Sequence, residues 1–297
     1  MKKFLFLIIF MISSVSVNAQ NEIKNLLEEL ADIAGVDVNL TGSAFKSTRL
    51  MNGHSTERMA PAELDFRISH RFGRLNTGAY ELFGLDQANI HFGLDYGITK
   101  WLMVGVGRGT YEKTFDGFAK FSIARQSGGE ANLPVSVSLL SSAAYRTIKP
   151  GAGDEYTFNE RMSYVGQLLV SRKFNENFSL QLMPSVVSRN VDRTEPDLLW
   201  AAGVGGRVKL ARRISLNAEY YYSFDPGTYI GSEVYNPLSI GFDIETGGHV
   251  FQLIFTNSLA MIEKGFIGET TGSWGKGDIH FGFNISRVFD LSRANRD

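Results

Sequence analysis

The run DIHFGFNIS at residues 278–286 carries the pattern that predicts the fold. Ile279, Phe281 and Phe283 alternate with polar or small residues, and side chains two positions apart lie on the same face of a β-strand. The same alternation recurs along the chain, for example at residues 62–72, 87–97 and 237–246. The sequence therefore predicts an all-β protein whose strands have one apolar and one polar face.

Two features favour a membrane-spanning barrel over a soluble β-sandwich. The alternating segments have about 10 to 14 residues, whereas most soluble strands have about 5 to 6, and a tilted strand of ~9 to 11 residues crosses a bilayer. Aromatic residues lie near the segment ends, as they do at membrane–water interfaces. They are Phe72, Trp101, Phe174, Trp200, Phe224 and Phe289. Because lipid cannot pair with backbone polar groups, a sheet in a membrane has to close into a barrel.

The pattern gives twelve candidate strands, and their connections alternate between tight and long. The strands are 62–72, 87–97, 101–110, 115–126, 133–146, 160–174, 177–189, 198–210, 213–224, 237–246, 248–257 and 277–289. Short turns are typical of the periplasmic end of outer-membrane barrels, so both ends of the barrel chain are expected there. Residues 44–55 could form a thirteenth strand, but an odd number breaks the parity of single-chain bacterial barrels. We therefore predict an antiparallel barrel of about twelve strands over residues 61–297.

The N-terminal region has a different character from the barrel. Lys2 and Lys3 precede an apolar run over residues 4–12, and small residues lead to Ala19, which predicts a secretory signal peptide over residues 1–19. Residues 21–34 have helical periodicity, which predicts a short helix. We assign residues 20–60 to a periplasmic or lumen-inserted segment.

Composition excludes several classes of site and partner. The 297 residues include no cysteine, which excludes disulfides, thiolate metal sites and a cysteine nucleophile. Lys and Arg number 30 and Asp and Glu number 31, so net charge does not favour nucleic acid as a partner. No pair of histidines has zinc-site spacing with a carboxylate, and no nucleotide-binding loop or hydrolase elbow is present. We expect no cofactor, no metal ion and no catalytic residue, and hence no enzyme.

The chain resembles a family of Gram-negative outer-membrane β-barrel proteins classed as a domain of unknown function. The stretches that carry the resemblance are AFKSTRLMNGHS at 44–55, ISHRFGR at 68–74, LFGLD at 82–86, LSIGFDIETGGH at 238–249 and GSWG at 272–275. The resemblance extends over essentially the whole chain after the predicted signal peptide. It implies a barrel in the outer membrane and brings no activity with it.

If the apolar strand faces meet lipid, the polar faces line a lumen. The candidate lumen residues are Asp65, Arg67, Arg71, His91, Asp95, Asp243, Glu245, Asp278 and His280. Both signs of charge are present, so strong ion selectivity is not predicted. Barrel closure is expected to place His91 and His280 on either side of Asp65 and Arg67, roughly 10 Å apart. These groups either pair with one another to hold the barrel closed or form a ligand site in the pore.

The segment 44–55 is the most distinctive feature outside the barrel. Its polar residues Lys46, Arg49, Asn52 and His54 are candidates for contacts with the pore wall. A barrel of twelve strands leaves interior space, unlike one of eight. The segment is therefore predicted to insert and constrict the pore, the alternative being an extension that lies beneath the barrel in the periplasm.

These features predict an outer-membrane channel or binding barrel, passive or gated, for small solutes. The first alternative is a structural barrel with a closed lumen that docks a periplasmic protein, and the second is a barrel lipase or protease. The expected partners are outer-membrane lipid, the barrel-assembly machinery and, for the structural alternative, a periplasmic protein.

Overall fold

The computed structural model describes residues 39–129, 132–149, 155–189 and 197–292. Within these ranges, twelve strands form one closed barrel. They are β1 Glu63–Arg74, β2 Ala88–Gly97, β3 Leu102–Gly109, β4 Thr114–Ala124, β5 Ser136–Arg146, β6 Met162–Lys173, β7 Phe178–Arg189, β8 Asp197–Ala211, β9 Ile214–Phe224, β10 Leu238–Thr246, β11 His249–Thr256 and β12 His280–Asp290. The predicted signal peptide and the helix predicted over 21–34 lie outside the described residues.

Each strand pairs antiparallel with the next along the chain, and β12 pairs antiparallel with β1 to close the barrel. The closing register places Ile285 opposite Ile68 and Phe283 opposite His70. The predicted fold and all twelve strands are confirmed. The largest differences are at the starts of β5, observed at 136 against a prediction of 133, and β12, observed at 280 against 277.

The distribution of polarity across the barrel wall is the reverse of that in a soluble protein. Many apolar side chains of the strands face outward, with Trp200 61% and Leu182 52% exposed. Charged side chains face inward, with Lys120 1% and Glu219 3% exposed. An apolar outer surface and a polar interior suit a barrel surrounded by lipid. No helix in the described ranges is long and apolar enough to cross a membrane.

Two segments occupy the barrel interior. The first, residues 44–59, is called the inner segment. It contains one isolated bridge, between Arg49 and His54, so it does not form the thirteenth strand that the sequence left open. The second, residues 257–279 between β11 and β12, is called the inner loop. It contains the helix α2 Glu263–Gly268, every residue of which is buried; a shorter helix, α1 Phe158–Arg161, precedes β6.

Apolar residues of both segments join one wall of the barrel in a buried core. The inner segment contributes Phe45 and Leu50, and α2 contributes Phe266 and Ile267. The wall contributes Val165, Leu169, Met183, Val187, Leu199, Ala201 and Tyr221. These wall residues belong to β6–β9, so apolar packing holds the inner segment against that side.

The two ends of the barrel differ in their connections. Residues 174–177, 212–213 and 247–248 make tight turns at one end. The inner segment leads into β1 at this same end, where the Ala62 amide donates to the Gly97 carbonyl at 2.9 Å. Most connections at the other end are long, although Thr110–Lys113 links β3 and β4 in four residues.

A separate small unit contains, among the described residues, 39–41, 126–129 and 132–134. In its described part, Asn39–Leu40 pairs antiparallel with Ser127–Gly128.

Candidate functional site

A cavity of about 30 Å³ lies between the inner segment, the inner loop and the wall formed by β1, β2, β4, β5, β6 and β12. Its lining is rich in ionisable side chains from all three parts of the molecule. They are Arg49 and His54 of the inner segment, Arg67, Arg71, His91 and Asp116 of the wall, and Glu263 and Lys264 of the inner loop. This cavity is the candidate functional site.

An arginine–aspartate cluster joins the inner segment to the wall beside this cavity. The β1–β2 register places Asp65 directly opposite Asp95, and two adjacent buried carboxylates require cations. Arg67 Nη2 lies 2.7 Å from Asp65 Oδ2 and 2.9 Å from Asp95 Oδ2, and it also donates to Thr48 Oγ1 at 2.7 Å. Arg49 Nη1 lies 3.3 Å from Asp95 Oδ2. The structure thus brings together Asp65, Arg67, Asp95 and Arg49, four of the residues selected from the sequence.

Asn52 connects a buried arginine on β1 to a buried glutamate on β9. Arg71 Nη2 donates to Asn52 Oδ1 at 2.7 Å, and Asn52 Nδ2 donates to Ser239 Oγ at 2.9 Å. The Asn52 amide donates to Glu219 Oε1 at 2.7 Å. Glu219 also accepts from the amides of Met51 at 3.3 Å and Gly53 at 3.1 Å. Three consecutive amides therefore surround one carboxylate, which compensates for its burial.

Other wall side chains form the hydrogen bonds to the backbone of the inner segment that a neighbouring strand would otherwise provide. Its carbonyls accept hydrogen bonds from Gln252 at 2.8 Å, Asn284 at 2.9 Å and Gln181 at 2.8 Å. Lys120 Nζ donates to the Ser55 carbonyl at 3.0 Å and to that of Glu57. Because buried backbone groups need partners, these bonds allow an irregular segment to lie inside the barrel.

The predicted placement of two histidines beside Asp65 and Arg67 is wrong. His91 lies opposite Ser69, and its Nε2 is 2.7 Å from Asp116 Oδ1 on β4. His280 lies opposite Arg74, and its Nδ1 is 2.8 Å from the Phe72 carbonyl. The prediction did not include the stagger between neighbouring strands that a closed, tilted barrel imposes. This stagger shifts the residue that lies opposite a given position along the adjacent strand.

The remaining predicted residues form separate pairs that do not line the cavity. Asp243 accepts from Gln252 Nε2 at 2.9 Å, and Asp278 lies 3.2 Å from Arg74 Nη1. Lys46 Nζ lies 3.1 Å from Glu245 Oε1 in a partly exposed position. The nine predicted lumen residues therefore do not form one cluster. In the described ranges, no group of three or more histidine, aspartate and glutamate side chains could hold a metal ion.

The sequence prediction missed the ionisable residues of the inner loop. Lys264 Nζ lies 2.7 Å from Glu112 Oε2 and 2.8 Å from Glu269 Oε1. Glu263 Oε1 lies 3.5 Å from His54 Nε2, where the inner loop meets the inner segment. Burial raises the pKa of Glu263 to about 7 and holds the pKa of His54 well below its ordinary value. Glu263 and Lys264 lie in a long polar link, and nothing in the local pattern distinguishes such a link from an exposed loop.

Comparison with known proteins agrees with this architecture. Residues 45–289 match the model of a family described as a membrane-bound β-barrel domain, DUF5777. The chain belongs to this family. The family resemblance predicted from the sequence is therefore confirmed, and this DUF5777 barrel spans a membrane with its strands. A comparison with curated proteins finds no match.

Several solved outer-membrane barrels are similar to this DUF5777 protein at low sequence identity and with TM-scores below 0.5. A NanC porin is 8% identical, with 76% of this chain and 98% of that chain covered and a TM-score of 0.47. An outer-membrane channel from Pseudomonas putida F1 is 11% identical, with 78% and 97% covered and a TM-score of 0.45. OccK11 (OpdR) of Pseudomonas aeruginosa is 13% identical, with 77% and 66% covered and a TM-score of 0.35.

Proposed function

We propose that the protein is a gated channel of the outer membrane for small polar solutes, and that the inner segment is its gate. The supporting observation is the way in which Asn52 lies between Arg71 and Glu219. The inner segment fills the lumen, yet its central contacts are hydrogen bonds to buried charged groups rather than apolar packing alone. A conformational change of this segment would open a path lined by polar side chains.

The charged wall favours a gate over a permanent plug. Arg67, Asp95, Lys120 and Glu219 are each at most 5% exposed, and burying charges carries a desolvation penalty even when they are paired. Those same groups would be hydrated in a water-filled pore. The wall therefore suits an open state in which water replaces the inner segment.

The apolar core supports the second candidate, a structural barrel with a permanently closed lumen. Phe45 and Leu50 of the inner segment are 2% and 0% exposed within that core. Such packing stabilises the closed conformation and costs energy on opening. A gate would then need a stimulus, whereas a structural barrel would stay closed under all conditions.

A reversible disulfide would test the gate directly. Thr56 Oγ1 of the inner segment lies 2.6 Å from Ser171 Oγ on β6, so the sulfur atoms of T56C/S171C would lie within bonding reach. The chain has no native cysteine to interfere. In planar bilayers, we expect the oxidised variant to stay closed and dithiothreitol to restore openings. The T56C single variant is the matched control and should not respond to dithiothreitol.

Each outcome distinguishes the candidates. Equal currents in the oxidised and reduced double variant would show that the inner segment does not gate the pore. The absence of current from wild type, from the reduced variant and from a chain lacking residues 44–59 would instead support the closed structural barrel.

A further inference from the structure

Arg71 is a buried cation that no carboxylate contacts directly; its electrostatic partner Glu219 is joined to it through Asn52. Its side chain lines the cavity and is 1% exposed. Its Nη atoms donate to the His70 carbonyl at 2.8 Å, to Asn284 Oδ1 at 3.1 Å and to Asn52 Oδ1 at 2.7 Å. Within the described residues, its Nε has no hydrogen-bond partner and no carboxylate lies within ion-pair distance of the guanidinium. All of its contacts are with neutral oxygens.

The other cations that line the cavity are each paired with carboxylates. Arg67 contacts Asp65 and Asp95, and Arg49 contacts Asp95. Lys264 contacts Glu112 and Glu269. The two lining carboxylates also have partners, since Asp116 lies against His91 and Glu263 lies near His54. The cavity therefore has one positive charge that no direct contact neutralises.

A second unused donor lies on the same face of β1. Ser69 precedes Arg71 by two residues, so both side chains point into the barrel, and Ser69 also lines the cavity. Its hydroxyl makes no hydrogen bond with any described residue. A cavity of about 30 Å³ accommodates roughly two water molecules, which limits a ligand in this conformation to a few atoms.

We propose that Arg71 and Ser69 form a binding site for a small monovalent anion of carboxylate chemistry, of the size of formate or acetate. The guanidinium of Arg71 donates to the carboxylate, and its charge compensates that of the ligand. The Ser69 hydroxyl is the second donor. This inference deepens the proposed channel function by assigning small organic anions as the solutes that the lumen recognises.

Thermal unfolding of the full chain refolded in detergent tests the site without requiring transport. Sodium formate should raise Tm saturably relative to sodium sulfate at equal ionic strength, because a ligand that binds the folded state stabilises it. Arg71→Gln should weaken the apparent affinity for formate by about tenfold or more, since it removes a charged hydrogen bond. Arg71→Lys keeps the charge but lacks the guanidinium geometry, so we expect an intermediate affinity.

Arg207→Gln is the matched control, because Arg207 is also a buried lumen arginine, donates to Ser215 Oγ at 3.0 Å and does not line the cavity. Its formate response should equal that of wild type even if its own Tm changes. No response to formate in wild type, or an equal response in Arg71→Gln, would overturn the proposal.

Bilayer recordings separate this inference from the proposed channel. Formate-dependent stabilisation that requires Arg71, in a protein that never conducts, would support the anion site and refute the channel. Conductance through reduced T56C/S171C, with the same formate-to-potassium permeability ratio when Arg71→Gln is added, would support the channel and refute the anion site.

Discussion

Asn52 shows how one neutral residue can satisfy two buried charges, one through its side chain and one through its backbone. Arg71 on β1 and Glu219 on β9 are separated in the barrel by three strands, and Asn52 is hydrogen-bonded to both. The side-chain carbonyl oxygen accepts from the guanidinium and the backbone N–H donates to the carboxylate, so the residue fits between groups of opposite charge. The tip of the inner segment is therefore held by hydrogen bonds to charged groups as well as by packing.

Replacing Asn52 should weaken closure. Asn52→Ala removes the acceptor of Arg71 and the donor to Ser239, and we expect the closed conformation to lose about 1–3 kcal/mol, the cost of leaving buried polar groups unsatisfied. Bilayer recordings should show a higher open probability. Asn76→Ala is the control, since Asn76 lies in the exposed link between β1 and β2 and donates to Asp278. Equal open probabilities in the two variants would contradict a role for Asn52 in closure.

Closure should depend on pH through the buried glutamates of the inner loop. Burial raises the pKa of Glu263 to about 7, as it does for Glu269 beside Lys264 and Glu112. The closed state therefore binds protons that hydrated glutamates release, and closure strengthens as pH falls from 8 towards 6.5. For Glu263 alone, a raised pKa of this size changes the free energy of closure by at most about 3 kcal/mol over the full titration.

Open probability measured against pH checks whether closure strengthens as pH falls. Glu263→Gln should reduce the pH dependence of open probability above pH 6.5, and E263Q/E269Q should reduce it further. Below about pH 6.5, protonation of hydrated His54 in the open state opposes closure, because burial lowers the pKa of His54 when the lumen is closed. A double variant with the wild-type slope between pH 8 and 6.5 would contradict the assignment.

At the scale of elements, the strands could be predicted from the sequence and the inner loop could not. Strand alternation is local, because consecutive side chains face lipid and lumen in turn. The inner loop is buried through partners that are distant in sequence: Lys264 meets Glu112, and Phe266 packs on Tyr221 with ring centroids 5.2 Å apart. No local pattern in residues 257–279 contains those partners.

The helix α2 should dock largely through its apolar side. Phe266 is 1% exposed within the core, so Phe266→Ala should cost about 3–5 kcal/mol of docking free energy by leaving a cavity. The expected result is faster proteolysis within residues 257–279 while the barrel remains intact on gels. Phe158→Ala is the control, because Phe158 is 65% exposed. Equal protease resistance in both variants would show that α2 is held by its ion pairs instead.

At the scale of the whole molecule, the number of strands followed from the sequence but their stagger did not. The face of each strand is a property of its own residues, whereas the register between strands depends on closure of the entire ring. The sequence predicts that Asp65, Arg67 and Asp95 all face the lumen, and the register that pairs Asp65 with Asp95 brings them together. His280 was misplaced because its predicted neighbours depended on the register across the closing pair, which places it opposite Arg74.

The orientation of the barrel determines from which side the inner segment enters. We predict that the tight turns face the periplasm, so that the inner segment enters from there and the long links face outward. Ser232→Cys in an exposed long link and Gly247→Cys in a tight turn, where nothing lies within 4 Å of an added Cβ, report on the two ends in a chain without other cysteines.

A polyethylene-glycol maleimide too large for the outer membrane should modify Ser232→Cys on intact cells and leave Gly247→Cys unmodified until the membrane is disrupted. The reverse labelling would place the start of β1 at the cell exterior. A gate made from the inner segment would then respond to the medium rather than to the periplasm, since the segment joins β1 at the tight-turn end. The labelling pattern therefore determines on which side of the membrane any stimulus for opening has to act.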